Sequence, residues 1–248
     1  EIFFDGGEKM NIAVVGCGKM GRMIEAVCAR REDVQIAGFV GRGGCASLDE
    51  LEEMDAALDF SHPDNLNGLL ESAARRKIPL VIGTTGFSDA QGEAIREAGR
   101  SIPIVWADNF SVGVTVLGRL AAEAARMLGG GFDMEIVETH HRCKADAPSG
   151  TAKMLLRRVD PGGAYAVLNG REGRSGACGR EIGVHAVRGG TVAGEHRLYF
   201  FGPMEELELR HRADSREIFA LGALQAAAFA TRAPNGLYDM DDVIFGGT

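Results

Sequence analysis

Apolar and polar positions along the chain follow one rhythm up to about residue 106 and a different one after it. Met10 to Val15 is a short apolar run that ends on Gly16-Cys17-Gly18-Lys19-Met20-Gly21. Behind it Met20, Met23, Ile24, Val27 and Cys28 fall at i, i+3, i+4, i+7 and i+8, one apolar face of a helix. Val34 to Val40, Ala56 to Phe60, Ile78 to Ile82 and Ile102 to Trp106 read as further strands. Between them lie a helix over Asp64 to Arg76, with Leu66, Leu69, Leu70 and Ala73 in register, and a polar helix over Ser88 to Arg100. Strands and helices in alternation imply a parallel sheet covered on both faces. The expected class is α/β, a Rossmann-type doubly wound parallel sheet.

After Trp106 strands dominate. Val112 to Leu128 reads as a long helix broken by Gly129-Gly130-Gly131. Met134 to His141, Arg180 to Arg188, Glu195 to Phe201 and Glu205 to Arg212 read as strands, with one helix from Ser149 to Arg158. That pattern predicts a second, smaller α+β domain with a mainly antiparallel sheet. Asp160 to Gly179 is rich in glycine and predicts an exposed loop. Arg216 to Arg232 is an Ala-rich helix that returns to the first domain. The expected division is 10–111 plus 217–248 for the first domain and 112–216 for the second, with residues 1–9 an extension.

Composition narrows the function classes. Glycine supplies 35 of 248 residues, about twice the usual ~7%, so turns and close backbone approaches are to be expected. The formal net charge of −8 argues against nucleic acid, whose phosphates are held by clustered Lys and Arg. The nearest approach to a membrane span, Val112 to Leu128, is interrupted by Arg119, Glu123 and Arg126. The N-terminal residues carry no secretory pattern. Five cysteines without CxxC spacing (Cys17, Cys28, Cys45, Cys143, Cys178) suit reduced thiols and a cytoplasmic protein.

Two segments carry chemistry. GCGKMG, with a strand before it and an amphipathic helix after it, fits a phosphate cradle: Gly16 for the turn, Gly18 for approach of a pyrophosphate, Gly21 for helix packing. Cys17, Lys19 and Met20 complete that loop. No acid stands between Ile36 and Arg42 to bind ribose hydroxyls, and Arg42 suits a 2′-phosphate, so the lean is modestly to NADPH over NADH. The second segment runs from Glu135 to Lys153 and gathers His140, His141, Lys144 and a helix start at Ser149-Gly150-Thr151. A helix start and a Lys suit an anion, and His supplies an acid near neutral pH. Spacing alone says only an anion site with an acid; SGTA without the histidines would read as a plain structural cap, and the adjacent Lys lifts the functional reading. Metal is not expected: His140 and His141 are adjacent on a strand, point to opposite faces, and have no fourth ligand near.

At His140-His-Arg-Cys-Lys-Ala-Asp-Ala-Pro-Ser-Gly-Thr-Ala152 the chain resembles the 4-hydroxy-tetrahydrodipicolinate reductase (dihydrodipicolinate reductase) family. GCGKMG resembles its N-terminal fingerprint, Gly83 to Phe87 its GTTGF turn, and Asn109 to Val114 its interdomain hinge. Val187 to Gly190, Gly194 to His196, His211 to Ala213 and Gly236 to Met240 also match, so the resemblance runs from Met10 to Val243. At the end of the second strand, where many members carry an acid then a base, this chain has Val40 and Gly41, with the base displaced to Arg42.

The resemblance implies hydride transfer from NAD(P)H to an unsaturated dicarboxylate ring, giving tetrahydrodipicolinate for diaminopimelate and lysine biosynthesis. It implies a homotetramer built by the second domain. By the same resemblance His140 is the proton donor, assisted by Lys144, while His141, Lys144, Gly150 and Thr151 hold the substrate's carboxylates, with Ser149 beside them. Gly83, Thr84, Thr85, Asn109 and the backbone near Phe60 and Phe110 surround the nicotinamide. Arg188, His196 and His211 read as buried sheet partners outside the catalytic set. Two alternatives stay open at this point: a dehydrogenase acting on a saturated amino acid, and a nicotinamide-nucleotide sensor without turnover.

Overall fold

The computed structural model describes residues 9–174 and 176–246, so the expected extension over residues 1–9 lies outside the described residues except for Lys9. The chain divides into two compact units, residues 1–112 with 217–248, and residues 113–216.

In the first unit strands β1 (Met10–Val15), β2 (Val34–Val40), β3 (Ala56–Asp59), β4 (Leu80–Ile82), β5 (Pro103–Trp106) and β11 (Gly236–Tyr238) form one sheet, in the order β11-β5-β4-β3-β1-β2. Every pairing is parallel. Each parallel neighbour needs a crossover, and helices α1 (Lys19–Cys28), α2 (Leu66–Arg76) and α3 (Asp89–Ala98) supply those from β1 to β2, β3 to β4 and β4 to β5. Alternation of side chains explains why β1 is apolar throughout. Ile12 and Val14 pack to one face with Ile24 and Val27 of α1, while Ala13 and Val15 pack to the other with Leu66, Leu69 and Ala73 of α2. The Ala-rich helix α6 (Glu217–Ala230) returns to this sheet and packs against α1 and against β3, β4 and β5. Gly222 is the reason it can: a Cβ there would stand 1.6 Å from the Phe110 carbonyl oxygen. The edge strand β11, with the short helix α7 (Met240–Phe245) behind it, goes beyond the sequence expectation. Three residues are too few to show a period.

In the second unit β6 (Asp133–His140), β7 (Ala166–Leu168), β8 (Glu181–Arg188), β9 (Gly194–Phe201) and β10 (Glu206–Ala213) form a sheet in the order β10-β9-β6-β8-β7. The expected mainly antiparallel sheet is corrected here to a mixed one. β10, β9 and β6 are antiparallel, but β6, β8 and β7 run parallel. The reason is helix α5 (Gly150–Val159), which follows β6 and makes the return to β7 and β8 a crossover. The predicted glycine-rich loop therefore contains the short strand β7. Helix α4 (Val112–Leu128) and α5 cover one face, where Leu117, Ala121, Ala152 and Leu155 meet Ile136, Ile182, Leu198 and Phe200.

Candidate functional site

The first unit places its expected residues along the carboxyl edge of the parallel strands, where ligands of such sheets gather. Gly16 follows β1 with φ +104°, and a Cβ on it would lie 2.5 Å from the Phe60 carbonyl oxygen. A Cβ on Gly21 would lie 2.1 Å from the Gly16 carbonyl oxygen. Sterics of the fold thus require both glycines. Gly18 differs: it is exposed, it stands at the N-cap of α1, and nothing lies within 4 Å of where its Cβ would be. The one glycine that the fold does not need opens the space before a helix start with neither a side-chain cap nor an acid in its first turn. Such an end presents amides and a positive dipole to phosphate. Cys17 and Lys19 flank it, and Met20 packs back on the core.

The other expected residues of this unit divide by what their side chains already do. Phe60 follows β3 and meets Phe110 edge to face at 5.6 Å. Gly83 has its missing Cβ position within 2.1 Å of the Phe60 ring, so the ring needs a glycine there. The Thr84 hydroxyl is buried and accepts from the Ser61 amide at 2.8 Å. The Phe110 ring is buried, and the Asn109 side-chain oxygen accepts from the Ser111 amide. Thr84, Asn109 and Phe110 thus engage the fold by these groups, whereas Thr85 is exposed and lines a cavity of about 470 Å³ with Phe87, Trp106 and Asp108. Arg42 sits in a turn closed by the Gly44 amide on the Gly41 carbonyl, with Gly43 at φ +88°. The backbone of this turn is fixed, and the Arg42 side chain is exposed at its apex.

In the second unit the inward face of β6 changes character along its length. Met134 and Ile136 are core, while Glu138 and His140 continue the same face as buried polar residues at its carboxyl end. Glu138 is inaccessible to solvent and fully bonded. Its Oε2 faces His140 Nδ1 and accepts from Arg188 at 2.8 Å. Its Oε1 accepts from the other Arg188 nitrogen at 2.8 Å and from the Ser149 amide at 3.1 Å. Burial alone would raise the Glu138 pKa, but Arg188, His140 and the Ser149 amide outweigh it and hold the carboxyl below its ordinary value. Burial lowers the pKa of His140, and Glu138 opposes that shift without cancelling it. The His196 ring packs against His140 at 5.2 Å, and burial with the charge of His140 pushes its pKa down to about 3.

Ser149 caps α5, its hydroxyl accepting from the Ala152 amide at 3.1 Å and meeting His196 Nε2 at 3.1 Å. It is 2% exposed, so the hydroxyl that sequence reading turned toward an anion is engaged inside the fold. Gly150, the first helical residue, is exposed with open space around its Cβ position, and Thr151 beside it is half-buried. Lys144 lies on the loop between β6 and α5, its ammonium 2.8 Å from Asp146. His141, the first residue past β6, points elsewhere: its Nε2 accepts from Arg216 at 2.8 Å, and it lines a cavity of about 570 Å³ with Cys143, Thr191 and Ser215. His140, Lys144 and the start of α5 therefore share one edge of the sheet. Glu138 and Arg216 are the participants that sequence reading did not name. Glu138 had a signal, a carboxylate two residues before His140 on one strand face; Arg216 had none.

The N-terminal profile of dihydrodipicolinate reductase matches residues 10–110, and the C-terminal profile of the same enzyme matches residues 113–244. The 4-hydroxy-tetrahydrodipicolinate reductase of Clostridium tetani is 38% identical over 244 residues, covering 94% of this chain and 96% of that protein. The namesake from Akkermansia muciniphila is 42% identical over 241 residues, covering 95% and 98%. The chain belongs to the dihydrodipicolinate reductase family. It is an oxidoreductase with a dinucleotide-binding fold of the NAD(P)H type. A solved dipicolinate-bound dihydrodipicolinate reductase from Paenisporosarcina superposes with a TM-score of 0.77 at 22% identity, over 96% of this chain and 100% of that one, which shows a shared fold. Among the described residues, no helix is long and apolar enough to cross a membrane.

Proposed function

We propose that this chain reduces the dihydrodipicolinate ring, formed from 4-hydroxy-tetrahydrodipicolinate, to tetrahydrodipicolinate in diaminopimelate and lysine biosynthesis. The observation that carries the reading is a protonatable His140 on the same sheet edge as Lys144 and the amide end of α5. A dicarboxylate needs cationic and N–H partners, and Lys144, Gly150 and Thr151 supply both kinds, with Ser149 fixing the helix start; His141, turned toward Arg216, stands outside this group. A bound nicotinamide supplies hydride to the ring. Hydride on carbon leaves an enamine-like anion, and His140 gives it a proton from its imidazolium while Lys144 stabilises the neighbouring negative charge. A sensor without turnover would have no use for such an acid.

The phosphates belong at Gly16 to Gly21, the nicotinamide near Gly83, Thr84, Thr85, Asn109 and the backbone of Phe60 and Phe110. Arg42 tilts the adenosine end modestly toward NADPH. The first unit is thus the dinucleotide-binding domain and the second the substrate-binding and oligomerisation domain. The outward face of the second sheet, with exposed Val187 and stacked Tyr199 and Phe201, supports a homotetramer. Reduced thiols and a biosynthetic role support the cytoplasm. Coupling the chain to the upstream aldolase reaction and following nicotinamide absorbance tests the reading. Oxidation of NADH or NADPH is expected; none, despite measured cofactor binding, would overturn it.

A further inference from the structure

We infer that Glu138 is the positioning residue for the proton donor. Its Oε2 holds His140 by Nδ1–H, so Nε2 is the atom that delivers the proton, and its Oε1 ties the same carboxylate to the first turn of α5. The inference rests on the reading of His140 as the acid.

The geometry leaves the Glu138 carboxylate little freedom. It is shut off from solvent, and its partners arrive from three segments: His140 from its own strand, Arg188 from β8 by two nitrogens, and the Ser149 amide from the start of α5. A bidentate guanidinium keeps the carboxylate ionised, and an ionised carboxylate only accepts hydrogen bonds. Nδ1 of His140 must then carry a hydrogen in both protonation states. In the acid form Nε2 carries the second proton. When it is delivered, the Nε2–H bond breaks, a C–H bond forms on the substrate carbanion, and neutral His140 stays behind as the Nδ1–H tautomer, to be reprotonated from water. Of the charged and titratable groups around this ring, Lys144 on the loop and Arg188 on β8 disfavour the imidazolium, Glu138 favours it, and the His196 ring of β9 packs against it. The same carboxylate fixes Ser149, so the donor and the helix end proposed to bind substrate share one rigid support.

The ¹⁵N resonances of the His140 ring in the whole chain, together with pH profiles of turnover, test this. In the unaltered protein the neutral His140 is expected with Nδ1 protonated and Nε2 bare; the opposite tautomer would overturn the proposal without any variant. Glu138→Gln offers an amide in place of the carboxylate. It is expected to disturb the tautomer, lower kcat by on the order of 10²-fold or more, and move the alkaline limb of kcat to lower pH. Cofactor Kd is expected to stay unchanged. Arg188→Met, which leaves the carboxylate without its counter-charge, is expected to move that limb the other way, to higher pH. Limbs that stay put, or move in the same direction in both variants, would overturn the proposal. Should Glu138→Gln fail to fold, the native tautomer and Arg188→Met still decide. An unaffected turnover in His140→Gln would instead overturn the reading beneath it, because the ring resonances need no substrate.

Discussion

The glycine turn after β1 and the polar end of β6 are both sites at the ends of strands, built from opposite materials. The first is made by leaving atoms out: two glycines fit because the backbone crowds them, and a third leaves space that the fold does not fill. The second is made by putting charge in. A solvent-free carboxylate is tolerable only with Arg188, His140 and a backbone amide on it. A site of absences is local and sterically defined. A site of buried charge is a network across strands, and each member affects the proton affinity of the others.

The largest effect expected from breaking this contrast is on the charged side. His140→Gln removes the proposed acid and should cost turnover about 10²–10⁴-fold, roughly 3–5 kcal/mol of transition-state stabilisation. Dinucleotide affinity, which belongs to the other kind of site, should be unchanged. Steady-state kinetics beside a cofactor titration checks both, and an equal loss in each would merge the two sites into one.

Within the glycine turn the contrast sharpens to three residues. Gly21→Ala pushes a Cβ into the Gly16 carbonyl, a backbone clash that should cost about 1–3 kcal/mol of stability and weaken dinucleotide binding with it. Gly18→Ala meets no protein atom, so stability should stay within about 0.5 kcal/mol while binding falls. Denaturant melts and cofactor titrations of the two variants separate fold from cradle. A Gly18→Ala protein that binds normally would remove the phosphates from this loop.

The same contrast sets what could be read from sequence. The glycine turn was legible because its steric logic lies within six residues and depends on the absence of Cβ atoms, which a sequence states directly. The parallel sheet was legible from its alternation. The Glu138 network was not, because its meaning depends on register: His140 pairs across to Arg188, 48 residues on, and Glu138 to His196, 58 residues on. Arg188 and His196 do lie in the sheet as expected, but as groups that set the charge of the site. Ser149 was read both as the cap of a helix and as an anion ligand; the fold uses its hydroxyl for the cap and for His196. The mixed sheet arises because helix α5 gives β6 and β8 the crossover that a parallel pair needs.

Buried charge also predicts an acid sensitivity that the glycine turn lacks. The folded His196 pKa, about 3, lies below the ordinary 6.5, so the unfolded chain binds more protons between those values. His196 therefore stabilises the fold fully above about pH 6.5 and loses that contribution progressively as pH falls toward 3. His140 and His211, both lowered mainly by burial, act in the same direction. His196→Gln, which retains a hydrogen-bonding side chain near Ser149, should flatten the decline in denaturant stability between pH 7 and pH 5. An equally steep decline in the variant would assign the sensitivity to other groups.

The smallest effect is expected at the adenosine end, where both kinds of site are attenuated. The turn from Gly41 to Gly44 is fixed by its own hydrogen bonds, but the Arg42 side chain stands in solvent, and an exposed cation contributes little per contact. No acid between Ile36 and Arg42 repels a 2′-phosphate, so both cofactors should be used, with NADPH favoured through this one group. Arg42→Ala should weaken NADPH by about 1 kcal/mol, roughly five- to tenfold in Kd, and leave NADH nearly untouched. Because the turn is closed by backbone atoms, removing the side chain should not open it. Titration of both cofactors against both proteins reads the difference directly. A parallel loss for NADH and NADPH would mean that Arg42 shapes the strand end instead of meeting a phosphate.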